Sequence, residues 1–181
     1  MVLVIVILIL LLLLWGISVQ RQLVSKEELC KNALSQIGVQ QASRWDALTA
    51  LADMTKSYSE FEYKTLRDVI AQRRQITSGS TVAEANAQEG LLTNALSRII
   101  AVGEQYPELK ASETYIKTMD SINLYENQVR TSRMVFNDSV TNFNRMVRQF
   151  PNSLIAGILG FNVKDYLVEN QGKEQMPSMK I

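Results

Sequence analysis

From Val2 to Ile17 the chain carries no charged or polar side chain: fourteen positions are Leu, Ile or Val, and the others are Trp15 and Gly16. A soluble core helix keeps a polar side, and this segment has none. Read through Val19 as a helix rising about 1.5 Å per residue, it is roughly 28 Å long, close to a hydrocarbon core of about 30 Å. At roughly −0.3 to −0.6 kcal/mol per residue, its Leu, Ile and Val side chains favour insertion by about 4–8 kcal/mol, an upper bound because the ends count for less. The β-branched start, Val2 to Ile7, also suits a buried strand, but a strand does not use so long an unbroken run. Residues 1–19 are therefore expected to form a transmembrane anchor. Val2, Leu8 and Leu14 would face lipid, with Trp15 at the downstream interface.

A secretory signal would show a basic leader and a small-x-small cleavage site. Neither pattern is seen around Ile17–Gln20, and Glu27–Leu29 before Cys30 does not resemble a lipoprotein box. Retention as an anchor is the expectation. Arg21, Lys26 and Lys31 follow the segment, so the positive-inside rule places the N-terminus outside and the domain in the cytoplasm. A lone cysteine, which can form no internal disulfide, is compatible with that reducing compartment.

Composition removes most catalytic chemistries. Histidine is absent and Cys30 is the one cysteine, which excludes Ser-His-Asp and Cys-His catalysis, HExxH zinc sites and single-chain thiolate clusters. No glycine-rich phosphate loop occurs. A net charge of +1 offers no broad electrostatic footprint for nucleic acid. The reading is a non-enzyme: no catalytic residue, no cofactor, no metal, no nucleic-acid partner. An enzyme would have to work with carboxylates such as Glu60, Glu62 or Glu126 alone.

The remaining residues read as helix. Leu23, Cys30, Leu34, Ile37, Trp45, Leu48, Ala52, Tyr58, Leu66, Val69, Arg73 and Ile76 recur at multiples of three and four. The expectation is one helix running from the membrane to about Ile76, with Gly38 tolerated inside it at about 1 kcal/mol. Thr77–Ser80 is the clearest breaker. Thr81 and Glu84 form a capping-box pattern, opening a second helix that Pro107 stops. Ser112 is placed to cap a third helix.

That third helix has a regular seam: Tyr115, Met119, Ile122, Glu126, Val129, Arg133, Phe136, Val140, Phe143, Val147 and Phe150 alternate steps of four and three, the heptad period. Glu126 and Arg133 interrupt it and are expected to pair across helices and set register; an alternative for Glu126 is a surface pair with Arg130. Asn137 and Asn144 flank the seam seven residues apart and are expected to form interhelical hydrogen bonds. Asn152–Phe161 is apolar, glycine-punctuated and too short to span a membrane; it reads as a short helix or turn folded back on the bundle. From about Asn170 the chain is polar and expected to be loose.

Several segments resemble the LemA family of bacterial membrane proteins: Ala95–Ala111 (ALSRIIAVGEQYPELKA), Tyr125–Arg133 (YENQVRTSR), Phe136–Val140 with Phe143-Asn144, and Gln149–Phe161 (QFPNSLIAGILGF). Upstream, Ser35–Gln40 and Trp45–Leu48 fall where the family has Ile-x-Val-Gln and Tyr-Asp-Leu-Ile patterns. The chain departs from the family at Gln20-Arg21, Ala42–Arg44, Ser57 and Thr49-Ala50, where a Tyr-Asn pair, a basic cluster, a glycine and a Pro-Asn pair are usual. Loss of that proline predicts a straighter first helix. The resemblance implies an all-α fold: a transmembrane helix (1–19) continuing into an up-down-up bundle of long antiparallel helices (20–165), then a polar tail (166–181). It implies no known catalytic residue.

The functional expectation is a membrane-anchored scaffold that contacts membrane lipid, self-associates and binds other membrane proteins. An adaptor or regulator of a membrane protease or envelope-stress system is the alternative. A first helix of about 57 residues after the anchor, roughly 85 Å, would outlast its partners, which argues for a homo-oligomer. The expected location is the bacterial inner membrane, crossed once.

Overall fold

The computed structural model describes residues 1–168. The tail expected to be loose from Asn170 lies outside them. Six helices and no strand occur among the described residues: α1 (Val2–Thr55), α2 (Glu60–Ile70), α3 (Val82–Gln105), α4 (Pro107–Lys110), α5 (Glu113–Arg148) and α6 (Asn152–Ile158). The all-α architecture with its long apolar N-terminal helix is thus present.

α1 is continuous through the apolar run and into the bundle, because nothing from Val2 to Thr55 breaks it: there is no proline, and Gly38 remains helical. It does not reach Ile76. At Ser59 the backbone turns extended (φ −149°, ψ 102°), and the Ser59 hydroxyl accepts from the Glu62 N–H to start α2. Ser59-x-x-Glu62 is itself the sequence pattern of a helix start, masked by an apolar period that continues through Leu66 and Val69 on the far side of the turn. α2 folds back against α1, and Leu66 is fully buried there.

The connection after α2 decides the role of Gly38. A Cβ at Gly38 would lie 1.9 Å from the Ile76 carbonyl oxygen. The returning chain rests directly on the α1 backbone, and only hydrogen fits between them. Thr81 and Glu84 form the expected capping box, with Thr81 N–H donating to the Glu84 carboxylate (2.7 Å) and Glu84 N–H donating to the Thr81 hydroxyl (3.1 Å). α3 runs parallel to α1: Gln41 meets Ala85 at the start of α3, and the Tyr58 and Tyr106 rings meet 5.6 Å apart at the far end. Pro107 ends α3 and begins the single turn of α4. Ser112 stands at the N-cap of α5, yet its side chain makes no capping bond.

α5 then runs antiparallel to both α1 and α3. The turn at residues 56–59 thus adds one reversal to the expected up-down-up order, giving four segments in alternating directions. The heptad seam is inward at Tyr115, Ile122, Val129, Phe136, Val140 and Phe143. Phe150 is not part of it: α5 ends at Arg148, the backbone turns extended at Gln149 (φ −76°, ψ 123°), and Phe150 is exposed. α6 folds back on α5 and α1 as expected, burying Ala156.

Two hydrophobic cores result. The one nearer the apolar run, the proximal core, contains Val19, Leu23, Leu34, Ile37, Phe136, Val140, Phe143 and Met146. The distal one contains Trp45, Leu48, Leu51, Leu66, Leu92, Ile99, Val102 and Ile122. α1 threads both, and its inward residues from Val19 to Thr55 are covered within one chain. The bare helix length attributed above to a missing subunit is therefore absent from the bundle, because α2, α3, α5 and α6 share the cover. What stays bare on every side is the run before Trp15.

Candidate functional site

The apolar run projects from one end of the bundle. Every residue from Val2 to Leu14 is exposed, including Val2, Leu8 and Leu14. α1 is the one helix among the described residues long and apolar enough to cross a membrane, and its apolar stretch is almost wholly uncovered by the rest of the protein. Trp15, expected at the interface, is half-buried, and it packs with Ile155 and Phe161 against the proximal core. The end of the bundle therefore closes on α1 at Trp15.

The four polar seam residues divide by what they hold. Arg133 donates to the Asn86 side chain on α3 (3.2 Å) and to the Val168 carbonyl, so it spans α3, α5 and the C-terminal segment. Glu126 is half-buried two turns earlier. Among the described residues, the side chains of Asn137 and Asn144 bond to the segment after α6 and not to another helix. Asn144 donates to the Lys164 carbonyl (2.9 Å) and accepts from the Lys164 N–H (2.8 Å). Asn137 does the same with Leu167, at 3.2 and 3.0 Å. The expected interhelical bonds are thus replaced by a two-rung ladder to the segment after α6. The spacing accounts for it. Seven helical residues advance about 10.5 Å, and three residues of extended chain about 10 Å. A recurrence of three also matches the turn of a polyproline-type chain and not the two-residue alternation of a flat strand.

Other contacts pin the same segment. Leu167 is buried in the proximal core. The Lys164 ammonium pairs with Glu27 on α1 (3.0 Å) and lies 5.3 Å from the centre of the Phe143 ring. The hydrogen bond from Lys164 holds the Glu27 carboxyl below its ordinary value, opposed by partial burial and helped by the charges of Lys164 and Lys31. Burial pushes the Cys30 thiol up, so this inward-facing cysteine is a poor nucleophile.

A polar layer between the two cores is the feature the sequence reading missed. Arg44 donates to Glu89 (2.6 Å), with side chains 3% and 10% exposed. Gln41 donates to the same carboxylate (3.1 Å) and to the Ala85 carbonyl. Gln88 accepts from the Arg74 N–H and donates to the Gln72 carbonyl, tying the α2–α3 connection to α3. Arg73, assigned above to a helix seam, lies in that connection and pairs with Asp46 (2.6 Å). The Arg44 Nε, Trp45 Nε1 and Gln41 Oε1 atoms are buried without a hydrogen-bond partner among the described residues. A signal for the layer was present: Gln41 and Arg44 continue the inward stripe from Ile37 to Leu48, and Gln88-Glu89 sit between Ala85 and Leu92. Complementary polar residues at inward positions of two stripes mark such a layer.

Nothing in this arrangement pairs a nucleophile with a base. Among the described residues, no group of three or more His, Cys, Asp or Glu side chains converges as a metal site would require. The geometry supplies a bare apolar helix, a closed bundle end and a buried polar layer between two cores.

Residues 33–181 match the LemA family. Among curated proteins, the chain is 33% identical over 81 residues to the magnetosome protein MamQ of Magnetospirillum gryphiswaldense, covering 45% of this chain and 30% of that protein. The same identity and coverage hold for the magnetosome protein MamQ 2 of Paramagnetospirillum magneticum. It is 25% identical over 141 residues to protein LemA of Metamycoplasma hominis, covering 76% of this chain and 63% of that one. The chain thus spans less than two thirds of the length of each of these relatives.

Proposed function

The chain belongs to the LemA family, and from that premise we propose that it is a non-enzymatic scaffold, anchored in a bacterial cell membrane, whose helical bundle associates with copies of itself. The observation that carries this reading is the continuity of α1. A run of exposed apolar residues from Val2 to Leu14 passes without interruption into a helix whose inward face is buried from Val19 to Thr55. An apolar helix bare on all sides is stable in lipid and not in water, and its rigid continuation ties the bundle to the membrane. The relatives named for the magnetosome and for LemA carry no enzyme name, in keeping with a structural role.

Self-association rests on the outer surface of α5. Ile116, Leu124, Met134 and Val135 are exposed and fall within about a 100° arc at 100° per residue. Together with the bare anchor they give like surfaces on identical chains, the requirement for a symmetric assembly. Purification in a mild detergent followed by light scattering tests it. A protein mass that is a multiple of 20.4 kDa is expected, and a monomer at all concentrations would remove the self-association reading. Protease protection in intact cells checks the remaining placement, with the bundle in the cytoplasm expected to be shielded.

A further inference from the structure

We propose that α6 and its flanks lie in the membrane surface itself, as a second, monotopic contact beside the anchor. The proposal rests on the reading of α1 as a membrane helix and adds a depth and a surface to it. α6 meets α1 inside the apolar run: the Ile155 side chain comes within 3.7 Å of where a Gly16 Cβ would stand, and Trp15 packs against the same core. These residues precede Arg21, the first charged residue of the chain, by five and six positions, or about 8–9 Å along the helix. That is the depth at which interfacial helices lie, about 5–10 Å into the headgroup and acyl boundary. Any slab of lipid that holds the apolar part of α1 must also reach α6.

The chemistry of α6 suits that slab. No charged residue occurs from Gln149 to Val163. Its inner side is Ile155 and Ala156, on the core. Its outer side is also apolar: Phe150 is 76% exposed, Leu154 57%, Ile158 80% and Leu159 48%. A helix apolar on both sides requires an apolar neighbour on both. The polar rim has the sign expected for phospholipid, since Arg21, Arg145 and Arg148 are exposed around the same end and cations there attract the anionic leaflet surface. The occupant is the bilayer because α6 shares its height with the anchor.

Depth-dependent quenching tests this on the full chain. With Cys30→Ala as background, single cysteines replace Leu10, Leu154, Ile158 or Leu124, carry an environment-sensitive fluorophore, and are reconstituted in phosphatidylcholine–phosphatidylglycerol vesicles containing doxyl-labelled lipid. Labels at Leu10, Leu154 and Ile158 are expected to be quenched by the doxyl lipid, and the label at Leu124 is not. Quenching at Leu10 without quenching at Leu154 and Ile158 overturns the placement of α6 and leaves the anchor intact. No quenching at Leu10 overturns both. Labels on α6 shielded from both doxyl lipid and aqueous iodide would show a protein neighbour in place of lipid, and would also overturn it.

Discussion

Replacing Asn144 by Ala should release the C-terminal segment from the bundle without unfolding the bundle. Asn144 is 5% exposed, and both ends of its amide are used on one backbone residue, Lys164. Two hydrogen bonds at a net value of about 1 kcal/mol each give roughly 2 kcal/mol. If the segment stayed docked, the half-buried N–H and C=O of Lys164 would lose their partners at about 1–3 kcal/mol each. Local opening at Lys164 returns both groups to water and avoids that cost. Local opening is read by amide hydrogen exchange. In the wild type, the Lys164 and Leu167 amides donate to Asn144 and Asn137, so both should be protected. In Asn144→Ala the Lys164 amide should lose roughly thirtyfold in protection, since about 1.4 kcal/mol is tenfold. Leu167 should follow in part, because its rung shares the same strip of chain. Asn144→Asp keeps the acceptor and loses the donor, and should fall between. The double variant with Asn137→Ala should show non-additivity, as partners in one network do. A Lys164 amide that exchanges freely in the wild type, or one whose protection survives Asn144→Ala, would refute the ladder.

Three further outcomes follow from other contacts. Gly38→Ala should destabilise by about 2 kcal/mol in urea unfolding, against the roughly 1 kcal/mol that helix propensity alone would add, because the new Cβ meets the Ile76 carbonyl; a raised urea midpoint would contradict that close approach. Glu89→Leu alone should cost about 3–5 kcal/mol by leaving Arg44 charged and unpaired in the interior, while Glu89→Leu with Arg44→Met should recover most of it, as seen in paired thermal melts. Since the folded pKa of Glu27 is lowered, its bond to Lys164 contributes fully above the ordinary carboxylate value of 4.5 and is lost as pH falls through the lowered one; exchange protection of the 162–168 segment should drop in that acid window, and Glu27→Gln should abolish that pH dependence.

Chemistry and periodicity made much of this fold legible. The Thr81–Glu84 box, the stop at Pro107 and the Tyr115–Phe143 seam are each determined by residues within one or two turns of each other. Such signals survive without knowledge of the neighbours. The turn at Ser59 was equally local, but its Ser-x-x-Glu pattern competed with an apolar stripe whose phase carries across the bend by coincidence. The roles of Asn137, Asn144, Gly38 and the Arg44–Glu89 pair were not legible, because each partner lies far along the chain: twenty to thirty residues for the asparagines, 38 to 76 for the glycine contact, 44 to 89 for the ion pair.

The sequence by itself determined that this chain begins with a helix suited to lipid and continues as a helical bundle without the residues of common catalysis. Those conclusions depend on side-chain type and on spacings of three and four, which local physics enforces. Only the tertiary structure decided that the first helix turns at residue 56, that two cores flank a polar layer, and that the chain after α6 is laced to α5 by asparagines. It alone brought α6 to the level of Trp15, because which surfaces meet depends on three-dimensional packing among elements that are distant in sequence.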